Sequence, residues 1–206
     1  MKIPSPNQFE KGYLAFQRHE ARDSMYKTAT FLVEHFWGNP QEMADSLGVL
    51  LLTWNQALYR YGVFDFDRLE RCISDNMPLL DRFRKANILD YSPDDDEVIE
   101  HLFEEFREAL QIRAGKKKGV RSPVAVAKAL HLLAPEFFPL WDYKIAKEHG
   151  YNYSHNPKEK YLLFLKKSKE MVEKLLPYVK TEALEKKTLL KLIDEYNYAK
   201  YTKNWV

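Results

Sequence analysis

Residues 119–142 read GVRSPVAVAKALHLLAPEFFPLWD, and the fold class can be read outward from them. Ser122 stands directly before Pro123. A serine oxygen can accept one of the backbone N–H groups orphaned at a helix start, and proline at the first helical position loses nothing by lacking its own. Residues 124–133 are apolar except Lys128 and His131, which predicts a helix buried over most of its surface. Pro135 and Pro139 then bound an aromatic loop, and Asp142, another favoured cap, opens the next helix.

The same punctuation recurs on both sides. Ser5-Pro6, Asn39-Pro40, Ser92-Pro93 and Asn156-Pro157 each pair a capping side chain with proline. Glu42 and Asp95 place an acid three residues past their caps, close to a capping box. Gly38, Gly62, Gly115 and Gly150 follow apolar periodic runs and read as helix stops. Helices are predicted at about 6–20, 23–37, 40–61, 66–75, 78–88, 93–114, 123–134, 143–149, 157–176 and 182–200. Val98, Leu102, Phe103, Phe106, Ala109 and Leu110 form the clearest apolar stripe, and no stretch sustains strand-like alternation. The chain therefore reads as all-α and multi-helix. It is expected to form a single helical domain over residues 1–206, with room for an N-terminal lobe (about 1–115) and a C-terminal lobe (about 116–206).

Composition narrows the functional classes. With 45% hydrophobic and 30% charged residues the chain can bury a core, which excludes a disordered polymer. The lone cysteine, Cys72, excludes an internal disulfide and a cysteine zinc site; it reads as a small apolar helix residue in a reducing compartment. Residues 1–9 lack the apolar core of a signal peptide. The longest apolar run, 47–54, is far short of the ~20 residues a membrane span requires. The expectation is a cytoplasmic protein with no membrane partner. Net charge is only +2, but charge is sorted, acidic over 90–108 and basic over 113–121. Asp94, Asp95 and Asp96 oppose a helix dipole favourably, and His149 and His155 match no metal-binding helix spacing. No cofactor or metal is expected, and neither a Walker loop nor a dinucleotide fingerprint is present.

The stretch 119–142 resembles the hairpin region of the helix-hairpin-helix DNA glycosylases, whose hairpin reads roughly Leu-Pro-Gly-Val-Gly-x-Lys before a helix and a Val-Asp. Gly119-Val120 matches the hairpin start, 124–133 the second hairpin helix, and Asp142 the family's aspartate at the same spacing. Asp142-Tyr-Lys-Ile145 is similar to the Asp-x-His-hydrophobic sequence that follows. Leu50-Leu-Leu-Thr-Trp-Asn-Gln56 is similar to the family's Leu-Leu-x-x-Gln pocket helix. Arg121 stands at the second hairpin glycine, and Pro123 stands where lyase-competent members carry lysine. Lys128, five residues on, lies about 500° around the helix and so faces about 140° away from that position. The resemblance therefore implies the monofunctional kind of base excision, with Asp142 activating water.

These residues make chemical sense as a site. Lys116, Lys117, Lys118, Gly119, Arg121 and Ser122 would anchor phosphates of double-stranded DNA through charge and backbone N–H groups. A carboxylate at Asp142 would stabilise the oxocarbenium-like charge that develops as a base leaves its sugar. Trp54 or Trp141 would stack on an extruded base, and Asn55 and Gln56 would read its edge. Each residue also has a purely structural reading: Asp142 as a cap, the lysines as solvated loop, Lys128 at a polar helix edge, and the amides as internal hydrogen-bonders. Lysines 166, 167 and 169, with 186, 187 and 191, could extend a basic face or be ordinary surface. Three functions remain open: a DNA-binding, base-excising protein; a noncatalytic helical protein with a nucleic-acid or protein partner; and a hydrolase built on a buried Lys128–Asp142 pair. Oligomeric state is not readable.

Overall fold

A computed structural model describes residues 3–20, 23–60, 62–185 and 187–206 of the chain. It is all-α, with no strand among the described residues. The order is α1 (Pro6–His19), α2 (Ser24–His35), α3 (Pro40–Trp54), α4 (Gln56–Tyr59), α5 (Phe66–Arg84), α6 (Asp96–Ala109), α7 (Pro123–Leu133), α8 (Tyr143–Glu148), α9 (Pro157–Leu175), α10 (Thr181–Leu184) and α11 (Leu189–Asn197). A π-helical turn, Tyr198–Thr202, continues α11. No helix among the described residues is long and apolar enough to cross a membrane.

The caps do what their sequence demands. Ser5 closes a capping box with Gln8, Asn39 accepts from the Glu42 amide, and Ser122 accepts from the Ala125 amide at 3.2 Å. Asn156 is the exception. It sits in the left-handed region (φ 49°) with no side-chain cap, and its amide donates to Glu159 instead.

α7 lies at the centre, packed against α2, α3, α6 and α9, and every residue from Ala125 to Leu133 is buried. This is the all-round burial its apolar sequence required. The α6 stripe follows it into the core: Leu102, Phe103, Phe106 and Ala109 are buried. At the other end of the chain α11 packs against α1 and is itself buried along its whole length.

Several predicted boundaries shift, and the helix predicted over 40–61 breaks at Asn55 into α3 and α4. The break expected between 75 and 78 is absent, because α5 runs through Pro78. Its buried face, Leu69, Cys72, Ile73, Asn76, Leu80 and Phe83, keeps helical spacing on both sides of the proline. Burying Leu80 and Phe83 contributes about 1.5–3 kcal/mol each, enough to offset the roughly 3 kcal/mol of an internal proline. The predicted helix 93–114 begins as a 3-10 turn, Pro93–Asp95, and ends at Ala109, because 110–122 form the hairpin. The predicted 182–200 splits into α10 and α11, and Lys186 lies outside the described residues, as does Tyr61 at the end of the predicted 40–61.

Pro78→Ala should raise stability by about 1–2 kcal/mol, because Pro78 is exposed and alanine restores an N–H to the helix. Urea denaturation with an unchanged m-value checks it; a lower midpoint would mean that the proline shapes α5 rather than being tolerated by it.

Candidate functional site

A cavity of about 400 Å³ opens between α1, α2, α3, α7, α8 and α11. Its lining brings together four residues marked in the sequence: Trp54, Lys128, Trp141 and Asp142. Trp54 arrives at the last residue of α3, Lys128 midway along α7, and Trp141 and Asp142 at the turn into α8.

Asp142 has both carboxylate oxygens engaged. Oδ1 accepts from the Ile145 amide at 2.7 Å, the cap its sequence position predicted, and Oδ2 accepts from the Thr202 hydroxyl at 3.1 Å. A carboxylate can accept further bonds beyond two, so the cap leaves it capacity toward the cavity. Trp141 is fully buried, its indole donating to the Pro123 carbonyl at 3.2 Å, which ties the start of α7 to the cavity wall.

Lys128 donates to Asn55 Oδ1 at 2.6 Å and lies over the Trp54 ring, 4.2 Å from its centroid. Burial pulls its ammonium down to about 8, against the attraction of Asp194 and Asp142 and with the help of Lys191. The sequence allowed a buried Lys128–Asp142 ion pair. The structure corrects this: the two share the cavity, but no Lys128–Asp142 approach falls within 4.0 Å. Lys128 also covers the Trp54 ring that a base would stack on, so such a base would share or displace that contact. The Asn55 amide nitrogen is buried without a hydrogen-bond partner, and Gln56 is exposed, outside the cavity lining.

The hairpin uses its own donors. Gly119 takes φ 87°, a conformation glycine adopts without strain, and its N–H donates to the Ile112 carbonyl at 2.8 Å. The amides of Lys118 and Val120 donate to Gly115 and Lys117. Arg121 pairs with Glu108 at 2.6 Å, and Ser122 caps α7. Gly62 explains how the hairpin is seated: a Cβ there would meet the Ala114 carbonyl oxygen at 2.4 Å. The lysine-rich hairpin is thus an ordered turn with much of its hydrogen-bonding capacity satisfied internally.

The sequence missed most of the cavity. Phe16, Asp23, Tyr26, Lys191, Asp194 and Tyr198 all line it. Lys191 is 1% exposed, donates to Asp194 at 3.1 Å, lies 3.9 Å from Asp23 and Glu195, and faces the rings of Phe16 and Tyr26 at 4.8 and 4.7 Å. Burial disfavours its charge, yet Asp194, Asp23 and Glu195 together hold its pKa above the ordinary lysine value. The only signal was a lysine and two acids inside the apolar run LLKLIDEYN, which reads equally well as a polar helix face. Beneath Tyr26, His131 is fully buried. The Tyr26 hydroxyl and His131 Nε2 lie 2.9 Å apart, and Nδ1 is 2.7 Å from the Phe138 carbonyl. A carbonyl can only accept, so Nδ1 carries the proton and Nε2 accepts from Tyr26. Burial holds this imidazole neutral, its pKa pulled down to about 3.

No family model, curated protein or solved structure matches this chain. Its chemistry rests on the cavity itself. Two ammonium groups, Lys128 and Lys191, face four carboxylates, Glu20, Asp23, Asp142 and Asp194, among five aromatic rings. Such a lining suits a flat ligand that is electron-poor or becomes positively charged. Among the described residues no cluster of His, Cys, Asp or Glu could hold a metal ion. Cys72 is buried and its thiol is pushed up to about 12 chiefly by burial, which makes it a packing residue and not a nucleophile.

The α9 and α11 lysines do not form a basic face. Lys166 pairs with Asp96, Lys167 with Glu170, Lys187 with Asp23 and Glu195, and Lys191 is buried; Lys169 donates to the Tyr91 carbonyl.

Two tests probe this interior. Asp194→Ala should destabilise by about 3–5 kcal/mol by taking the nearest carboxylate from the buried Lys191, and Lys191→Met comparably by leaving Asp194 buried without its cation, while the double variant should cost well under the sum. Strictly additive losses in denaturant titrations would contradict the pairing. His131, with a folded pKa of about 3 against 6.5 unfolded, binds its proton more readily in the unfolded chain. Its contribution is therefore present above pH 6.5 and lost as pH falls toward about 3, at about 2 kcal/mol between pH 6.5 and 5. His131→Asn should flatten that slope by the same amount.

Proposed function

We infer that this chain binds double-stranded DNA and receives an extruded base in the cavity between Trp54, Trp141 and Asp142. The observation that supports this reading most is the convergence of Trp54, Lys128, Trp141 and Asp142 on one cavity. The resemblance of 119–142 to the helix-hairpin-helix glycosylases requires that convergence, and residues 54 and 142 are far apart in the chain. The cavity has the size of a small-molecule site and an aromatic, net acidic lining.

In this reading the rings hold the base and Asp142 stands at the mouth. Its carboxylate stabilises positive charge that develops on the sugar as the glycosidic bond lengthens, and it orients the attacking water. Thr202 and the Ile145 amide fix its position, and Lys128 supplies a donor to the departing base. Pro123 at the position of the lyase lysine keeps this to hydrolysis without a covalent intermediate. A second reading has its own support. Both Asp142 oxygens are hydrogen-bonded and Lys128 is held by Asn55, which suits a binding module that recognises a lesion without cleaving it.

Fluorescence-anisotropy titrations against a duplex with an abasic-site analogue and an undamaged duplex, across a salt series, test the reading. The expected result is preference for the lesion and affinity that falls as salt rises. Asp142→Asn keeps the cap, so it should fold and bind within about threefold of the parent chain while losing any base release. Binding with no base release from either chain selects the second reading. Absence of binding to both duplexes at low salt would sink the DNA assignment.

A further inference from the structure

Several surface cations are neutralised by neighbours. Arg121 and Arg68 share Glu108, Arg113 pairs with Asp65, Lys158 with Glu100 and Lys166 with Asp96. The four lysines of α8 and the C-terminal π-helical turn are not. Among the described residues, Lys144, Lys147, Lys200 and Lys203 have no carboxylate oxygen within 4.0 Å.

These four belong to two elements that pack on each other, α8 and the C-terminal π-helical turn. Lys144 donates to the Thr202 carbonyl at 3.3 Å, which places it beside Lys203 and within the turn that carries Lys200. Lys147 lies one turn along α8 from Lys144, on the same face. Lys144, Lys147 and Lys203 are exposed. Aromatic rings are interleaved with them: Tyr143 is 59% exposed, and Lys203 lies over both Tyr198 and Trp205, at 5.6 and 5.8 Å. The segment is pinned down by the Trp205 amide on the Ala199 carbonyl at 2.8 Å and by His19 stacked on Trp205.

The placement matters because both elements also contribute to the cavity, α8 through its cap Asp142 and the turn through Tyr198. The outer face of these two elements thus carries four lysines and aromatic rings, with Glu148 its acid, while the cavity interior is net acidic. A polynucleotide has the complementary arrangement, anionic on its backbone and flat at its bases. We propose that the DNA backbone is held by the α8 and C-terminal rim, through Lys144, Lys147 and Lys203 with Lys200 beside them, and not chiefly by the hairpin at 116–122. The proposal rests on the DNA reading above and assigns its phosphate-contacting surface. The hairpin's weaker claim follows from the internal bonds of Gly119 and from the Arg121–Glu108 pair.

The test compares salt dependence of binding to the abasic-analogue duplex for three full-length chains: the parent, Lys144→Gln/Lys147→Gln/Lys203→Gln, and Lys116→Gln/Lys117→Gln/Lys118→Gln. Each phosphate contact removed lowers the slope of log K against log salt by about 0.9. The rim variant should flatten the slope by about 2–3 and weaken binding roughly tenfold or more at low salt, while the hairpin variant should change the slope by less than about 1. Matching circular dichroism and urea midpoints establish that both variants are folded. A slope flattened by the hairpin variant and not the rim variant would overturn the proposal while leaving DNA binding intact. So would two variants that both bind like the parent. A parent chain that binds neither duplex overturns the DNA reading itself, and this surface with it.

Discussion

The ammonium of Lys191 is the point on which the cavity end of the structure depends. It is held in a low-dielectric interior by Asp194 and Glu195 of its own helix and by Asp23 at the start of α2, with the rings of Phe16 and Tyr26 against it. A buried charge without partners is expensive enough to reorganise its surroundings, so the elements bearing those partners must meet at one place. That requirement brings α1, α2 and α11 together around a floor, and α3 joins it through Trp54. Lys187 adds a second cation to Asp23 and Glu195, so the cluster is a network and not a single pair. The cavity is the space left above it.

Such a floor has consequences for any ligand. Its charges are fixed by packing and by one another, so they do not reorganise when a ligand enters, and a preorganised field acts at full strength on charge that develops nearby. Lys128 is the more adjustable element. Burial lowers its pKa to about 8, and its contacts are one amide oxygen and one ring face. A ligand offering an acceptor could draw it from Trp54 and expose that ring. Asp142 is positioned from two directions at once, by the helix it caps and by the π-helical turn that carries Thr202. The same turn brings Tyr198 to the cavity and carries Lys200, so a local helical irregularity contributes directly to the cavity wall.

The hairpin shows how a sequence pattern and its use can separate. Gly119 does adopt a positive φ, as a turn glycine should, but the N–H it presents is taken by Ile112. Arg121, where a second glycine would leave the backbone bare, reaches back to Glu108 on α6. The local residues predict a turn at this position. Its amides are taken inside the turn by Ile112, Gly115 and Lys117, whereas its seating depends on Gly62, which lies far away in the chain.

The sequence by itself determined what short-range physics controls. Proline-backed caps at Ser5, Asn39 and Ser122 set helix starts, the apolar run 124–133, interrupted only by Lys128 and His131, marked α7 as a helix buried over most of its surface, and Asp142 was marked as a cap with chemical capacity. It also named Trp54, Asn55, Gln56, Lys128, Trp141 and Asp142 as candidates for one site, of which Trp54, Lys128, Trp141 and Asp142 line the cavity while Asn55 and Gln56 do not. Tertiary structure decided what depends on partners distant in sequence. Pro78 sits inside a continuous helix because burial of Leu80 and Phe83 outweighs its local penalty. Lys166 and Lys167, which could have extended a basic face, are neutralised by Asp96 and Glu170, and Lys191 points inward because three carboxylates wait there. A charged residue's role follows from the sign and distance of charges brought to it by folding, and a one-dimensional pattern carries neither.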